Sequence, residues 1–290
     1  MTGSASGIGR RLVTLLAEAG HHVLATDVDV ASLSRAAAEC RWPAERVITS
    51  RLDVTDAVHW SDVMAQAVAR FQRLDALINV AGVLKVESVL ELRPESVAIQ
   101  LDVNTKGVIL GTHAAAKVMV GQRHGRIVNV ASMAALAPVP GISIYSASKF
   151  AVRGFSLAAD QELSGDGIRV SVVCPDAVDT PMVDYQLDHA GAALTFSGGR
   201  ILTADEVARA ILGLLNGKYR AELVIPWNRG FLARISNILP ASIHRWISRR
   251  LTQRGLARQE QLRSRRAETV VRTEFNRPRH SPRESQHDHR

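Results

Sequence analysis

Residues 2–27 read TGSASGIGRRLVTLLAEAGHHVLATD. Gly3, Gly7 and Gly9 stand close together, with Ser6 and Ile8 between them. A helical pattern follows directly, with Leu12, Leu15, Leu16 and Ala19 on one side and Gly20 at its end. A short apolar strand, His22 to Thr26, then closes on Asp27. Glycines before a helix let the backbone approach a pyrophosphate, and the helix N-terminus favours its negative charge. The spacing G-x-x-x-G-x-G is wider than the usual dinucleotide fingerprint, so the loop alone says little. Asp27 adds weight, because a carboxylate after the strand can accept both ribose hydroxyls of an adenosine and repel a 2′-phosphate. Residues 26–31 contain no Arg or Lys, so NAD is expected in preference to NADP. Asp27 can alternatively cap the next helix, a task for which Asp29 is equally suited.

The same alternation continues outward. Helices are expected over Asp29–Glu39, Thr55–Arg70, Pro94–Met119, Tyr145–Leu163 and Thr203–Asn216. Strands are expected over Arg46–Leu52, Leu74–Val80, Gly125–Ala131, Ile168–Cys174 and Ala221–Ile225. Val58, Val63, Ala67 and Val68 form the expected inward face of the third helix. The strands are continuous apolar runs, as in a sheet covered on both faces. The fold class is therefore α/β, a parallel Rossmann-type sheet with helices on both faces. Asp53 and Val54, after a strand, are placed to reach an adenine edge. Asn79, Ala81 and Gly82 put small residues beside the cofactor.

Charge divides the chain. The whole is +8, from 36 Lys plus Arg and 28 Asp plus Glu, yet residues 231–290 hold 14 Arg and 5 acids. The body is close to neutral, so the basic balance does not mark it as a nucleic-acid binder, and nucleic acid is not an expected partner. Hydrophobic residues at 46% exclude disorder of the whole chain. Cys40 and Cys174 lack metal-ligand spacing and suit a reducing compartment. No apolar run is long enough to span a membrane, and a cytoplasmic placement is expected.

Ser132, Tyr145 and Lys149 form a coherent chemical set. Tyr145 and Lys149 are one helical turn apart and share a face. The Lys149 ammonium should favour the phenolate and lower the Tyr145 pKa from about 10. Such a tyrosine serves as general base toward an alcohol or general acid toward a carbonyl. Ser132, just past a strand, can hold the substrate oxygen as charge develops on it. No metal is required.

Taken together, the loop Thr2–Gly9, Asp53–Val54, Asn79–Gly82, Asn104, Ser132, Tyr145 with Lys149, and Pro175 with Thr180 resemble the short-chain dehydrogenase/reductase family over residues 2–225. The resemblance implies a doubly wound sheet, a nicotinamide dinucleotide cofactor and a homo-oligomer, dimer or tetramer, packed through the long helices. It also implies that Pro175 and Thr180 border the cofactor and that Asn104 completes a water-mediated proton relay to Lys149. The region from Val178 to Arg200 corresponds to a mobile lid over the substrate. Two departures stand out. Asp176 follows Pro175 where the family has glycine, which is expected to alter the loop and weaken cofactor binding. The family's first strand, before the glycine loop, has only Met1 in its place. Its loss should leave a gap lined by unpaired backbone groups. The expectation is a true start about 5 to 15 residues upstream, with the added residues forming a short apolar strand.

No Arg or Lys lies between Val178 and Gly199. Met182, Tyr185, Leu187, Leu194 and Phe196 there, with Met133, Leu136, Val139, Pro140 and Ile142, point to a hydrophobic steroid-, retinoid- or lipid-like secondary alcohol or ketone. The expected domain ends at residue 226. Residues 227–253 alternate apolar residues (Phe231, Leu232, Ile235, Ile238, Leu239, Ile243, Trp246, Ile247, Leu251) with arginines. This basic amphipathic extension suits an anionic membrane surface, at the inner face of a membrane, or packing over the substrate pocket or a second subunit. A catalytically inactive membrane-peripheral or scaffolding relative is the alternative to an enzyme. Residues 254–290 are expected to be an arginine-rich, largely disordered tail.

Overall fold

Strands β1 (Val23–Asp27), β2 (Val47–Arg51), β3 (Ala76–Asn79), β4 (Gly125–Val130), β5 (Ile168–Pro175) and β6 (Glu222–Ile225) are joined by helices. The helices are α1 (Gly7–Glu18), α2 (Val30–Glu39), α3 (Ala57–Phe71), α4 (Pro94–Leu101), α5 (Gly107–Gln122), α6 (Ser143–Leu163), α7 (Pro181–Leu187) and α8 (Ala204–Asn216), followed by α9 (Trp227–Ser236) and α10 (Ala241–Phe275). The computed structural model describes residues 1–217, 219–236 and 240–275. Ile238, Leu239 and residues 276–290 of the expected extension and tail lie outside the described residues.

Every strand pair is parallel, in two sets, β1–β2 and β3–β4–β5–β6. Met1–Ser4 lies along the seam between the sets and bonds to both. The Met1 amino group donates to Leu24 O (2.8 Å), and Met1 O accepts from Thr26 N (2.9 Å). Thr2 N donates to Ile78 O (3.0 Å) and Ser4 N to Thr26 O (3.1 Å). The expected gap is thus bridged by the residues that lead into the glycine loop. These bonds satisfy backbone groups that would otherwise be buried without partners.

Alternate strand residues feed two cores, as a sheet covered on both faces requires. Val23, Ala25, Ile78 and Val128 pack against α1, α2 and α8. Leu24, Leu77, Ile127 and Val170 pack against α3, α5 and α6. On α3 the inward face is Trp60, Val63, Met64 and Ala67, whereas Val58 is 66% exposed. Asp56 caps the helix at Val58 N (2.7 Å), and this start turns Val58 to solvent. The helix expected over Pro94–Met119 is interrupted by a π-helical turn, Asp102–Lys106, between α4 and α5. Asn104 sits in that turn and bonds both main-chain groups of Val83, which holds the wider turn open.

The tail expected from residue 254 is instead α-helical to Phe275. Tertiary contacts account for it: Gln259 is 2% exposed and its side-chain amide donates to three main-chain carbonyls of the lid region.

Trp60 is 1% exposed, and its indole N–H donates to Val54 O (2.9 Å). Trp60→Ala is expected to cost about 3–5 kcal/mol, read as a lower urea midpoint with an unchanged m-value.

Candidate active site

The chain leaves Met1–Ser4 toward β1 and β2 on one side and returns to β3 and onward to β6 on the other. At such a reversal a crevice opens beyond the carboxyl ends of the strands. Here it is a cavity of about 1250 Å³. Gly3, Ser6, Gly7, Ile8 and Asp27 line one part of it, with Asp53 and Val54 beside them. Ala81, Gly82, Ser132, Tyr145 and Lys149 line it too, as do Pro175 and Thr180, the latter against Gly7.

Two glycines of the loop combine a left-handed backbone with a close approach. Gly3 has φ +65°, and a Cβ there would lie 2.8 Å from Ala81 N. Gly7 has φ +52°, and a Cβ would lie 2.9 Å from Thr180 Cγ2. The Thr2 hydroxyl, which the sequence does not single out, accepts from Val80 N (3.0 Å) and Ala81 N (3.1 Å) and so ties the loop to the end of β3. Asp29 caps α2 through Ser32 N (3.0 Å), which leaves Asp27 at the cavity. Asp27 accepts from Ala5 N (3.0 Å) and Asp29 N (3.2 Å). The Asp53 carboxyl is held below its ordinary range by the backbone N–H and hydroxyl of Thr55. These features fit a dinucleotide: two backbone approaches, a helix N-terminus and a carboxylate at the far end of one groove.

Three residues expected at the site lie behind it. Gly9 is buried in α1 against the Gly3 carbonyl and does not line the cavity. Asn79 does not line the cavity. Its side chain is 2% exposed and donates to Asn129 Oδ1 (2.9 Å), while Asn129 donates to Ser156 (2.9 Å). Alternation along β3 turns it to the sheet face covered by α5 and α6, where it ties β3 to β4 through Asn129. Asn104 is fully buried, bonded to Val83 and to Ser148 Oγ (3.0 Å), and braces the Gly82–Leu84 segment.

Ser132, Tyr145 and Lys149 come together in the cavity. Ser132 accepts from Ala134 N (3.1 Å), capping a short turn and fixing its hydroxyl. Tyr145 and Lys149 share the buried face of α6. Lys149 Nζ donates to Val130 O (2.9 Å) and stands 5.7 Å from the Tyr145 ring centroid. Burial pushes the Tyr145 phenol up to about 12, against the opposing hydrogen bond with Ser132. Burial draws the Lys149 ammonium down to about 8. This differs from the expected electrostatics: desolvation is the largest influence on Tyr145 and keeps it a phenol. Cys174 is fully buried with its thiol pushed up to about 12 by desolvation, which leaves it without thiolate character.

Asp176 is paired with Arg229 of α9, a partner no local pattern in the sequence announces. Burial raises the Asp176 pKa and Arg229 opposes it. The charge at this departure from the family is therefore met within the chain. The expected apolar substrate wall divides: Met133, Val139, Ile142, Met182, Tyr185 and Leu194 line the cavity, while Leu136, Leu187 and Phe196 are buried in packing. Pro140 lines a separate surface hollow. Leu232, Ala233 and Ile235 of α9 and Ile247 and Leu251 of α10 also line the main cavity.

Residues 1–190 match the family model described as short chain dehydrogenase. The chain is 35% identical over 233 residues to cyclopentanol dehydrogenase of Comamonas sp. (strain NCIMB 9872), covering 78% of this chain and 93% of that protein. It is 34% identical over 216 residues to the 3-oxoacyl-[acyl-carrier-protein] reductase FabG of Thermotoga maritima, covering 74% and 88%. Among solved structures, levodione reductase superposes with a TM-score of 0.73 at 26% identity, covering 79% of this chain and 96% of that one. A short-chain type dehydrogenase/reductase from Mycobacterium marinum gives 0.71 at 27% identity, covering 77% and 91%.

Proposed function

The chain belongs to the short-chain dehydrogenase family and is an NAD(P)-dependent oxidoreductase; on that premise we propose that it interconverts a hydrophobic secondary alcohol and its ketone with NAD(H), using Ser132, Tyr145 and Lys149. The observation that carries this reading is the convergence of those three side chains in one largely apolar cavity that also contains the glycine loop. The name of the relative cyclopentanol dehydrogenase, an uncharged alcohol, supports the substrate class. Asp27 at the cavity, with no Arg or Lys in residues 26–31, supports NAD over NADP.

The nicotinamide dinucleotide, when bound, supplies the hydride acceptor or donor. The chain's residues manage the oxygen and its proton. In the reductive direction Tyr145, a phenol held protonated by burial, donates its proton to the carbonyl oxygen. The Ser132 hydroxyl holds that oxygen as negative charge develops. Lys149, fixed through Val130 O, places a cation beside the tyrosinate left behind. In the oxidative direction the proton returns along the same path. Asn104 braces the adjoining segment, and water beside it can pass a proton toward Lys149. Pro175 and Thr180 close the cofactor groove, and Thr180 packs over Gly7.

Turnover of uncharged secondary alcohols, followed by absorbance of the reduced nicotinamide with NAD and with NADP, is the direct test. Tyr145→Phe is expected to lower kcat by about 10²–10⁴ with dinucleotide binding retained. Unchanged turnover would overturn the assignment of Tyr145, and a preference for NADP would overturn the role of Asp27. The pH profile tests Lys149. Its ammonium is charged below pH about 8 and loses its proton above, so kcat/KM for ketone reduction is expected to fall above that pH. A flat profile to about pH 10, the ordinary lysine range, would overturn the lowered Lys149 pKa as the limit on reduction.

A specific observation favours a second, compatible property, peripheral attachment to an anionic membrane. Trp227, Phe231 and Trp246 are exposed at 77%, 56% and 58%. Residues 227–259 contain seven Arg and no acid. Among the described residues no helix is long and apolar enough to cross a membrane, so contact would be interfacial. Flotation with anionic vesicles at low salt is expected to carry the protein, and salt to release it; equal binding to neutral vesicles would remove the role of the arginines. Exposed Ile109, Val120 and Phe150 on α5 and α6 support a homo-oligomer packed through those helices.

A further inference from the structure

The cavity that holds Tyr145 is also lined by Met182 and Val183 of α7 and by Leu194 of the turn Ala190–Ser197, and it has an annex wall of Leu232, Ile235, Ile247 and Leu251. These four residues come from α9 and α10, outside the 1–190 span of the family match. We propose that this annex is a binding site for an extended apolar chain, so that the substrate is an alkyl-tailed secondary alcohol or ketone; the proposal rests on the oxidoreductase reading of the same cavity.

The wall is built into the fold. The Gln259 side-chain amide donates to the carbonyls of Gln186 (2.8 Å), Leu187 (2.9 Å) and His189 (2.9 Å), which terminate α7. Arg263 donates to Leu187 O, and Arg266 pairs with Asp184. Gly255 lets α10 approach the Ala193 backbone so closely that a Cβ would fall 1.9 Å from its carbonyl oxygen. The lid that the family resemblance makes mobile is therefore held by the chain's own C-terminal helix.

The chemistry of the annex excludes a polar tail. Asp176 and Arg229 neutralise each other, and Arg229 also reaches Ser197 Oγ (3.4 Å). Thr195 donates to Gln186 Oε1 (2.9 Å). The polar groups at this end thus already have partners, and the remaining surface is branched aliphatic. Leu232, 64% exposed, marks where a longer tail would emerge.

Calorimetric titration of the full chain with a series of 2-alkanones of increasing length, oxidised NAD present so that no hydride is available, tests this without needing turnover. Kd is expected to fall about fourfold per added methylene, the effect of burying one CH₂, until the tail passes Leu232. Leu251→Trp, which fills the annex, is expected to weaken binding of the longest ketone at least tenfold relative to the shortest. Should that variant lack a cooperative melt, Leu251→Ala replaces it, with a smaller gain per methylene expected. A Kd independent of length, or a length dependence unchanged by both substitutions, would overturn the annex. Turnover of short ketones with no length dependence overturns the annex alone. Length-dependent binding with no turnover of any member supports the annex and overturns the oxidoreductase reading.

Discussion

The strip of hydrogen bonds made by Met1–Ser4 holds the molecule in register. It joins β1 to β3, and with them the two parallel sets of strands. The glycine loop starts from this strip, so its position is set by bonds to Leu24, Thr26 and Ile78 rather than by the loop itself. The Thr2 hydroxyl extends the tie to Val80 and Ala81. Buried backbone groups must be paired, so these few contacts fix both the seam of the sheet and the floor of the nucleotide groove.

Burial, rather than a nearby charge, governs the electrostatics of the reacting groups. Tyr145 and Lys149 share a helix face, but each is desolvated, and each is pushed toward its neutral form. A phenol and an ammonium of lowered pKa in one apolar cavity are suited to passing a proton to a carbonyl oxygen. Ser132 is fixed by the turn it caps and opposes the rise at Tyr145 through its hydrogen bond.

The C-terminal helices are part of the site rather than an appendage to it. Arg229 meets the charge of Asp176, and Gln259 closes the end of α7. Packing over the pocket and an exposed apolar face with arginines coexist on the same segment. Residues facing the cavity are shielded, and Trp227, Phe231 and Trp246 face outward.

The order of strands and helices, the glycine loop, and the shared face of Tyr145 and Lys149 could be read from the sequence, because each depends on periodicity or spacing within a few turns of chain. Spacing also placed Asp27 at the end of its strand, and the nearby Asp29 offered the alternative cap that the fold uses. Local pattern could not tell that Asn79 turns to the face covered by α5 and α6, since a shift of one residue along a strand exchanges its faces. Nor could it give the Asp176–Arg229 pair or the anchoring of Gln259, whose partners lie 53 and 70 to 73 residues away. The arginine-rich composition after residue 254 suggested a loss of order, yet Gln259, Arg263 and Arg266 bond this helix to the lid. Whether a polar chain is solvated or folded depends on what it can bury and bond against, and only the tertiary structure supplies that partner.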